Sequence, residues 1–134
     1  MGGQLILIRH GIAEERTPEG DDFYRKLTEA GVEEMTAFLP DIAPLLTEDG
    51  NLKIWTSPLL RARETAELVA EATAVEEIQP QEFLATGDFV AFMDALKQED
   101  EGFNLALVGH EPYMSSWTKE LIGAAKKKKK GAVA

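Results

Sequence analysis

Short apolar runs alternate with helix-length stretches four times along this chain. That alternation restricts the fold more than any other feature. Leu5-Ile6-Leu7-Ile8 and Leu105-Ala106-Leu107-Val108 are the clearest runs. A short continuous run bounded by a turn reads as a buried strand, so residues 4–9 and Asn104 to Gly109 are expected as strands. Lys53 to Thr56 and Val75 to Gln79 read as two more. Thr28 suits the cap of a helix running to about Leu46, bent or broken at Pro40 and Pro44. Ser57-Pro58 opens another, with Ser57 as N-cap and Pro58 at the first position, ending near Thr73. Phe89, Phe92, Met93 and Leu96 recur at i, i+3, i+4 and i+7, an amphipathic helix whose stripe is core. Pro112 starts a last helix with Met114, Trp117 and Leu121 on one face and Gly123 as its stop. Residues 12–25, and the stretch after Gln79 as far as Gly87, read as loops. Such an order implies an α/β three-layer sandwich: a mainly parallel central sheet, right-handed crossovers and helices on both faces.

The chain has only two histidines, His10 and His110. Each follows an apolar run and is flanked by glycine, so each leaves the carboxyl end of a strand. Parallel α/β sheets place their ligands at that edge. Arg9 and Gly11 leave the first strand there, Ser57 to Arg63 the second, Glu82 follows the third, and His110 leaves the fourth. Two imidazoles, one or two arginines and a carboxylate therefore converge.

Charge and composition bound the partners. At 134 residues the chain is expected to be one domain with a sizeable core. Apart from the unbroken lysines at 126–130, it carries 24 acidic and nine basic side chains. Such a body repels nucleic acid and anionic membrane, and the lysine run reads as a solvated tail. No apolar run approaches the ~20 residues of a membrane span, and no signal peptide is evident. With no cysteine, the chain reads as cytoplasmic. Absent cysteine excludes a thiolate nucleophile and a thiolate metal site. Two histidines are too few for a histidine-rich dinuclear metal centre, and no Gly-x-x-x-x-Gly-Lys-[Ser/Thr] loop is present. No cofactor and no metal are expected.

The converging groups suit phosphate. Guanidinium forks match phosphate oxygens in a bidentate way. Arg61 lies in the first turn of its helix, where free N–H groups also favour an anion. A neutral imidazole fixed in one tautomer is a competent nucleophile. Phosphoryl transfer to His10 would follow, with Arg9, Arg61 and His110 stabilising the equatorial oxygens. A nearby carboxylic acid could protonate the leaving group.

Leu7-Ile8-Arg9-His10-Gly11 resembles the Arg-His-Gly signature of the histidine phosphatase superfamily, which has the phosphoglycerate-mutase-like fold. Ser57-Pro58-Leu59-Leu60-Arg61-Ala62 resembles its Ser-Pro-x-x-Arg-Ala motif, and Val108-Gly109-His110-Glu111-Pro112 its third motif. Arg25-Lys26-Leu27-Thr28-Glu29-Ala30-Gly31 is similar to the Arg-x-Leu-Thr-x-x-Gly segment of the small SixA-like branch. The chain also lacks room for the helical insertion that roofs the pocket in mutases and metabolite phosphatases. By this resemblance His10 is the nucleophile, and Arg9, Arg61 and His110 bind phosphate, with Gly11 and Ser57 as further substrate contacts. Glu82 occupies roughly the place of the superfamily's acid, with Asp21 and Asp22 as competitors. SixA-like members are phosphohistidine phosphatases acting on phosphotransfer (HPt) domains of sensor kinases, which implies signal transduction and a phosphorylated protein partner. Relatives continue through a complete last strand, so the one begun by Gly131 to Ala134 is expected to be incomplete.

Several of these residues also have plainer roles. A lone histidine at a strand end is more often a structural hydrogen-bonder, and only the three motifs together favour catalysis. Arg63, two positions from Arg61 and on another helix face, reads as an ion-pair residue. Asp21-Asp22 reads as a solvated loop. The leading expectation is a monomeric phosphohistidine phosphatase. A small phosphorylated-metabolite phosphatase of the same fold and a catalytically weak phospho-binding module are the alternatives.

Overall fold

The computed structural model describes residues 4–17, 20–48, 51–99 and 102–122. The expected stop at Gly123, the lysine run and the strand begun at Gly131 lie outside the described residues. Four strands form one sheet: β1 (Leu5–Arg9), β2 (Leu52–Thr56), β3 (Ile78–Pro80) and β4 (Asn104–Gly109). All are parallel, in the order β1-β4-β2-β3. Parallel neighbours need crossovers, and helices supply them: α1 (Glu29–Leu46), α2 (Leu60–Thr73), α3 (Phe83–Thr86), α4 (Phe89–Lys97) and α5 at 113–122. The α/β architecture expected from the alternation is the one observed.

Strand alternation divides the core between the two faces of the sheet. Ile8, Ile54, Ala106 and Val108 pack against Met35 and Leu39 of α1 and Ala66 and Val69 of α2. Trp55, Leu105 and Leu107 face the other way, against Phe83, Phe92, Met114 and Trp117. Phe92 stacks on Trp117 with ring centroids 4.9 Å apart. The aromatic and methionine stripe of α4 is core, as its periodicity implied. Asn104, buried at the start of β4, ties the lower edge together. Its Oδ1 accepts from Gln4 N at 2.9 Å, and its Nδ2 donates to the Leu46 and Glu48 carbonyls at 2.8 and 2.6 Å.

Five local expectations are corrected. The helix capped by Thr28, whose Oγ1 accepts from Gly31 N, runs unbroken through Pro40 and Pro44. The prolines are four residues apart and both exposed, so the missing N–H bonds fall on the water side, while Leu39 and Leu46 anchor the inner side. Ser57 is not a helix cap, because α2 begins only at Leu60 and Leu59 has no side-chain cap bond. The third strand starts at Ile78 rather than Val75, because Val75 N still closes α2 on the Ala70 carbonyl at 3.0 Å. The stretch before Gly87 is not all loop. One helical turn, α3, buries Phe83 and Leu84 and stops where Gly87 takes φ 77°. Arg63 is exposed and forms no ion pair among the described residues.

Candidate active site

The parallel ladder continues one residue past β1, β2 and β3 and so fixes the exits relative to one another. His10 N donates to the Gly109 carbonyl at 3.0 Å, Ser57 N to Val108 at 2.9 Å and Gln81 N to Thr56 at 2.8 Å. The two histidines are thereby brought together, with ring centroids 5.1 Å apart and planes at 63°. Gly11 lets α1 close against this exit. A Cβ there would sit 2.8 Å from Met35 Cγ, and one on Gly31 would meet the Ile12 carbonyl oxygen at 2.2 Å. Gly11 N donates to Thr65 Oγ1 at 3.1 Å, and Thr65 Oγ1 donates to the Arg61 carbonyl at 2.9 Å. Thr65 is the buried link between the first and second motifs. Its one signal in the sequence is a position one helical turn after Arg61.

His10 Nδ1 lies 2.6 Å from the Gly11 carbonyl oxygen. A carbonyl only accepts, so Nδ1 carries the hydrogen and a neutral ring keeps its lone pair on Nε2. Burial, reinforced by the charges of Arg61, Arg25 and Arg9, holds the His10 pKa below the ordinary imidazole value even though the Gly11 bond opposes the shift. His110 is buried more completely in surface terms, at 7% exposure. Burial first, then His10 and Arg61, push its pKa down to about 4. Its Nε2 is 2.7 Å from Ser57 Oγ. That hydroxyl also accepts from Leu59 N at 3.3 Å and has no other acceptor among the described residues, so it donates to Nε2. The hydrogen of the neutral His110 ring then sits on Nδ1.

Arg61 is only 6% exposed. Its Nη1 donates to the Asp22 carbonyl at 2.8 Å and its Nη2 to Asp22 Oδ2 at 3.2 Å. Asp22 is therefore no solvated loop residue. Asp22 Oδ1 also accepts from Arg25 Nε at 2.7 Å and pairs with Arg16 at 3.4 Å. Partial burial works against the Asp22 charge, but the Arg25 hydrogen bond and the neighbouring guanidinium charges hold its carboxyl below the usual range. Sequence reasoning named Asp22 as a competing acid or solvated loop residue and Arg25 as part of a motif, but did not join them to Arg16 and Arg61, because that polar stretch has no periodicity. The residues of that stretch from Asp22 to Tyr24 form a 3₁₀ turn, and an antiparallel bridge joins Ala13 to Leu27. Glu64 of α2 accepts from Leu27 N at 2.8 Å and holds the end of the loop.

Two buried polar atoms have no partner among the described residues: Arg61 Nε and His110 Nδ1. Both belong to residues at the two exits that face His10. A buried donor left unmade costs about 1–3 kcal/mol. Arg9 is exposed and forms no ion pair among the described residues, although its charge acts on His10. Glu82 opens α3, immediately after the residue that joins the ladder at Thr56. Its side chain is exposed and exchanges no hydrogen bond with His10, Arg61 or His110. Asp21 only caps the 3₁₀ turn, accepting from Phe23 N at 3.0 Å. A cavity of about 720 Å³ runs from His10, Gly11 and Arg25 along the outer side of β1 to Phe38 and Ile42. Among the described residues no three His, Cys, Asp or Glu side chains gather as a metal site. No helix among them is long and apolar enough to cross a membrane.

The chain is similar to known proteins in sequence and in fold. Residues 5–91 match the histidine phosphatase superfamily (branch 1). An uncharacterized protein of Picosynechococcus sp. is 34% identical over 123 residues, 88% of this chain and 72% of its own length. A crystal structure from Agrobacterium tumefaciens assigned as the phosphohistidine phosphatase SixA superposes with a TM-score of 0.78 at 25% identity, covering 92% of this chain and 79% of that one. The protein histidine phosphatase SixA complexed with tungstate gives a TM-score of 0.67 at 24% identity, covering 83% and 71%. With the Arg-His-Gly, Ser-Pro-x-x-Arg-Ala and Gly-His motifs meeting at one sheet edge, the chain belongs to the histidine phosphatase superfamily, branch 1, as a phosphatase that is SixA-like in fold.

Proposed function

We propose that the chain removes phosphate from phosphohistidine of a phosphotransfer (HPt) protein, through a covalent phosphohistidine on His10. The observation that carries this reading is the Nδ1 bond to the Gly11 carbonyl, which leaves Nε2 as the free nucleophilic nitrogen. In the first step Nε2 gives its electron pair to phosphorus as the bond from phosphorus to the substrate imidazole breaks. The leaving nitrogen keeps the electron pair of the broken phosphorus–nitrogen bond and takes a proton from solvent. In the second step water attacks phosphorus, the bond to Nε2 breaks, and orthophosphate departs with the water oxygen. Arg61, with Nε unpartnered, and His110, donating from Nδ1, would bind the equatorial oxygens as charge develops. Arg9 would reach them from the exposed side.

A protein substrate is supported by three features. The site opens at a sheet edge, the cavity beside it can admit a protruding side chain, and the fold is that of SixA. A cationic centre set in an acidic surface also favours a short reach to one phosphoryl group over capture of a polyanion. The test is turnover on a phosphorylated HPt domain measured beside a panel of phosphorylated metabolites. The expected result is a kcat/KM on the HPt domain well above that on every metabolite. A metabolite that is turned over faster would replace the protein substrate.

A further inference from the structure

We infer that Asp22 is a positioning residue: it grips the outer end of the Arg61 guanidinium and thereby turns the Nε edge of that group toward the substrate phosphoryl. This rests on the reading that Arg61 binds phosphate. A guanidinium offers two bidentate edges, one end-on through both Nη atoms and one side-on through Nε and an Nη. Asp22 takes the end-on edge completely, with its backbone carbonyl on Nη1 and its carboxylate on Nη2. Nε remains buried with no partner among the described residues, so the side-on edge is the one presented to a ligand. The grip is itself fixed. Oδ1 of the same carboxylate accepts from Arg25 Nε, and Arg25 Nη1 donates to the Glu14 carbonyl at 2.6 Å. A long side chain held at its far end loses little freedom when an anion arrives, which improves binding without a new contact. Asp22 touches Arg61 from the side away from the free Nε, so it acts through Arg61 and not on the reacting atoms.

The test reads oxyanion binding directly, so it does not depend on the substrate being correctly named. Orthovanadate affinity is measured by competition or calorimetry on the full chain for wild type, Asp22→Ala, Asp22→Asn, Asp21→Ala and Arg61→Ala. Asp22→Ala is expected to weaken binding about tenfold, the worth of one hydrogen bond to a charged group. Asp22→Asn should recover part of that loss, since its amide oxygen can still accept from Nη2. Asp21→Ala removes only the cap of the 3₁₀ turn and should leave vanadate affinity within about twofold, which separates a loop effect from the grip. Tighter binding in Asp22→Ala would overturn the inference and make Asp22 a competitor for the phosphate. If Arg61→Ala itself leaves vanadate affinity unchanged, the phosphate role of Arg61 fails. Loss in Arg61→Ala without loss in Asp22→Ala sinks the positioning role alone.

Discussion

One backbone carbonyl holds the hydrogen of His10 on Nδ1 and leaves Nε2 free, and the proposed nucleophilic role rests on that single contact. Rapid quench with phosphorylated substrate should trap an acid-labile, base-stable adduct on wild-type protein, and His10→Ala should lose both adduct and turnover. Adduct persisting in that variant would move the nucleophile elsewhere. Burial lowers both histidine pKa values, so with both rings acting neutral, as proposed, activity should hold on the acid side of the usual imidazole titration near 6.5. The same shift is a stability effect. Unfolded His110 titrates near 6.5 and folded His110 at about 4. Between those values the unfolded chain binds more protons, so stability present above pH 6.5 falls as pH drops toward 4 and falls no further below it. His110→Asn should flatten that part of the curve of urea midpoint against pH. A variant with the full wild-type slope would assign it to other groups. Glu82 shows where residue-level reading stops. Its exposed carboxylate forms no hydrogen bond with the cluster, and Glu82→Gln is expected to cost little on a phosphohistidine protein because a protonated imidazole leaves readily. On an alkyl phosphate ester the same change should cost about 10²-fold or more. Equal losses on both substrates would make Glu82 an obligatory acid. Arg9, His10, Ser57 and His110 were legible because each ends or directly follows a strand, and Arg61 because it lies in the helix that follows Ser57-Pro58. Thr65 and Asp22 were not, because hydrogen bonds across 54 and 39 positions leave no local pattern.

At the scale of elements, strands with a continuous apolar run were legible and those without were shifted. β4 falls where its run predicted, and β1 does so within a residue. β3 is only three residues long and lies at the sheet edge, so few apolar positions mark it. The single turn of α3 is too short for a helical period to appear. Ser57 was misplaced because Ser-Pro is the usual opening of a helix, whereas here the hydroxyl serves His110. α1 carries the other local conflict, two prolines within its span. Pro40→Ala should restore the helix bond to residue 36 on the exposed face. Its gain, up to ~3 kcal/mol from the bond and the relieved clash, is reduced by ~1 kcal/mol for the freer unfolded chain. A higher midpoint in thermal unfolding is the expected outcome. A lower one would mean that Pro40 sets a bend on which the packing of α1 depends.

For the whole molecule, the order of the sheet matters more than its content. The strand at its centre, β4, is the last of the four to be made, and it separates β1 from β2. Until residues 104–110 have been synthesised, neither histidine has the other, Ser57 has no imidazole to hold, and β1 has no neighbour in the sheet. Every pairing of β1 spans 100 positions, from Leu5–Leu105 to Arg9–Gly109. Contacts so distant in sequence incur a large loop-closure cost before they return any stability, which slows folding. A nascent chain stalled after residue 99 is therefore expected to remain protease-sensitive, with no vanadate binding, whereas release after residue 122 should yield a protected core. On the ribosome, then, protection and vanadate binding are expected to arrive together once β4 is available, and a chain cut short before β4 is expected to have neither.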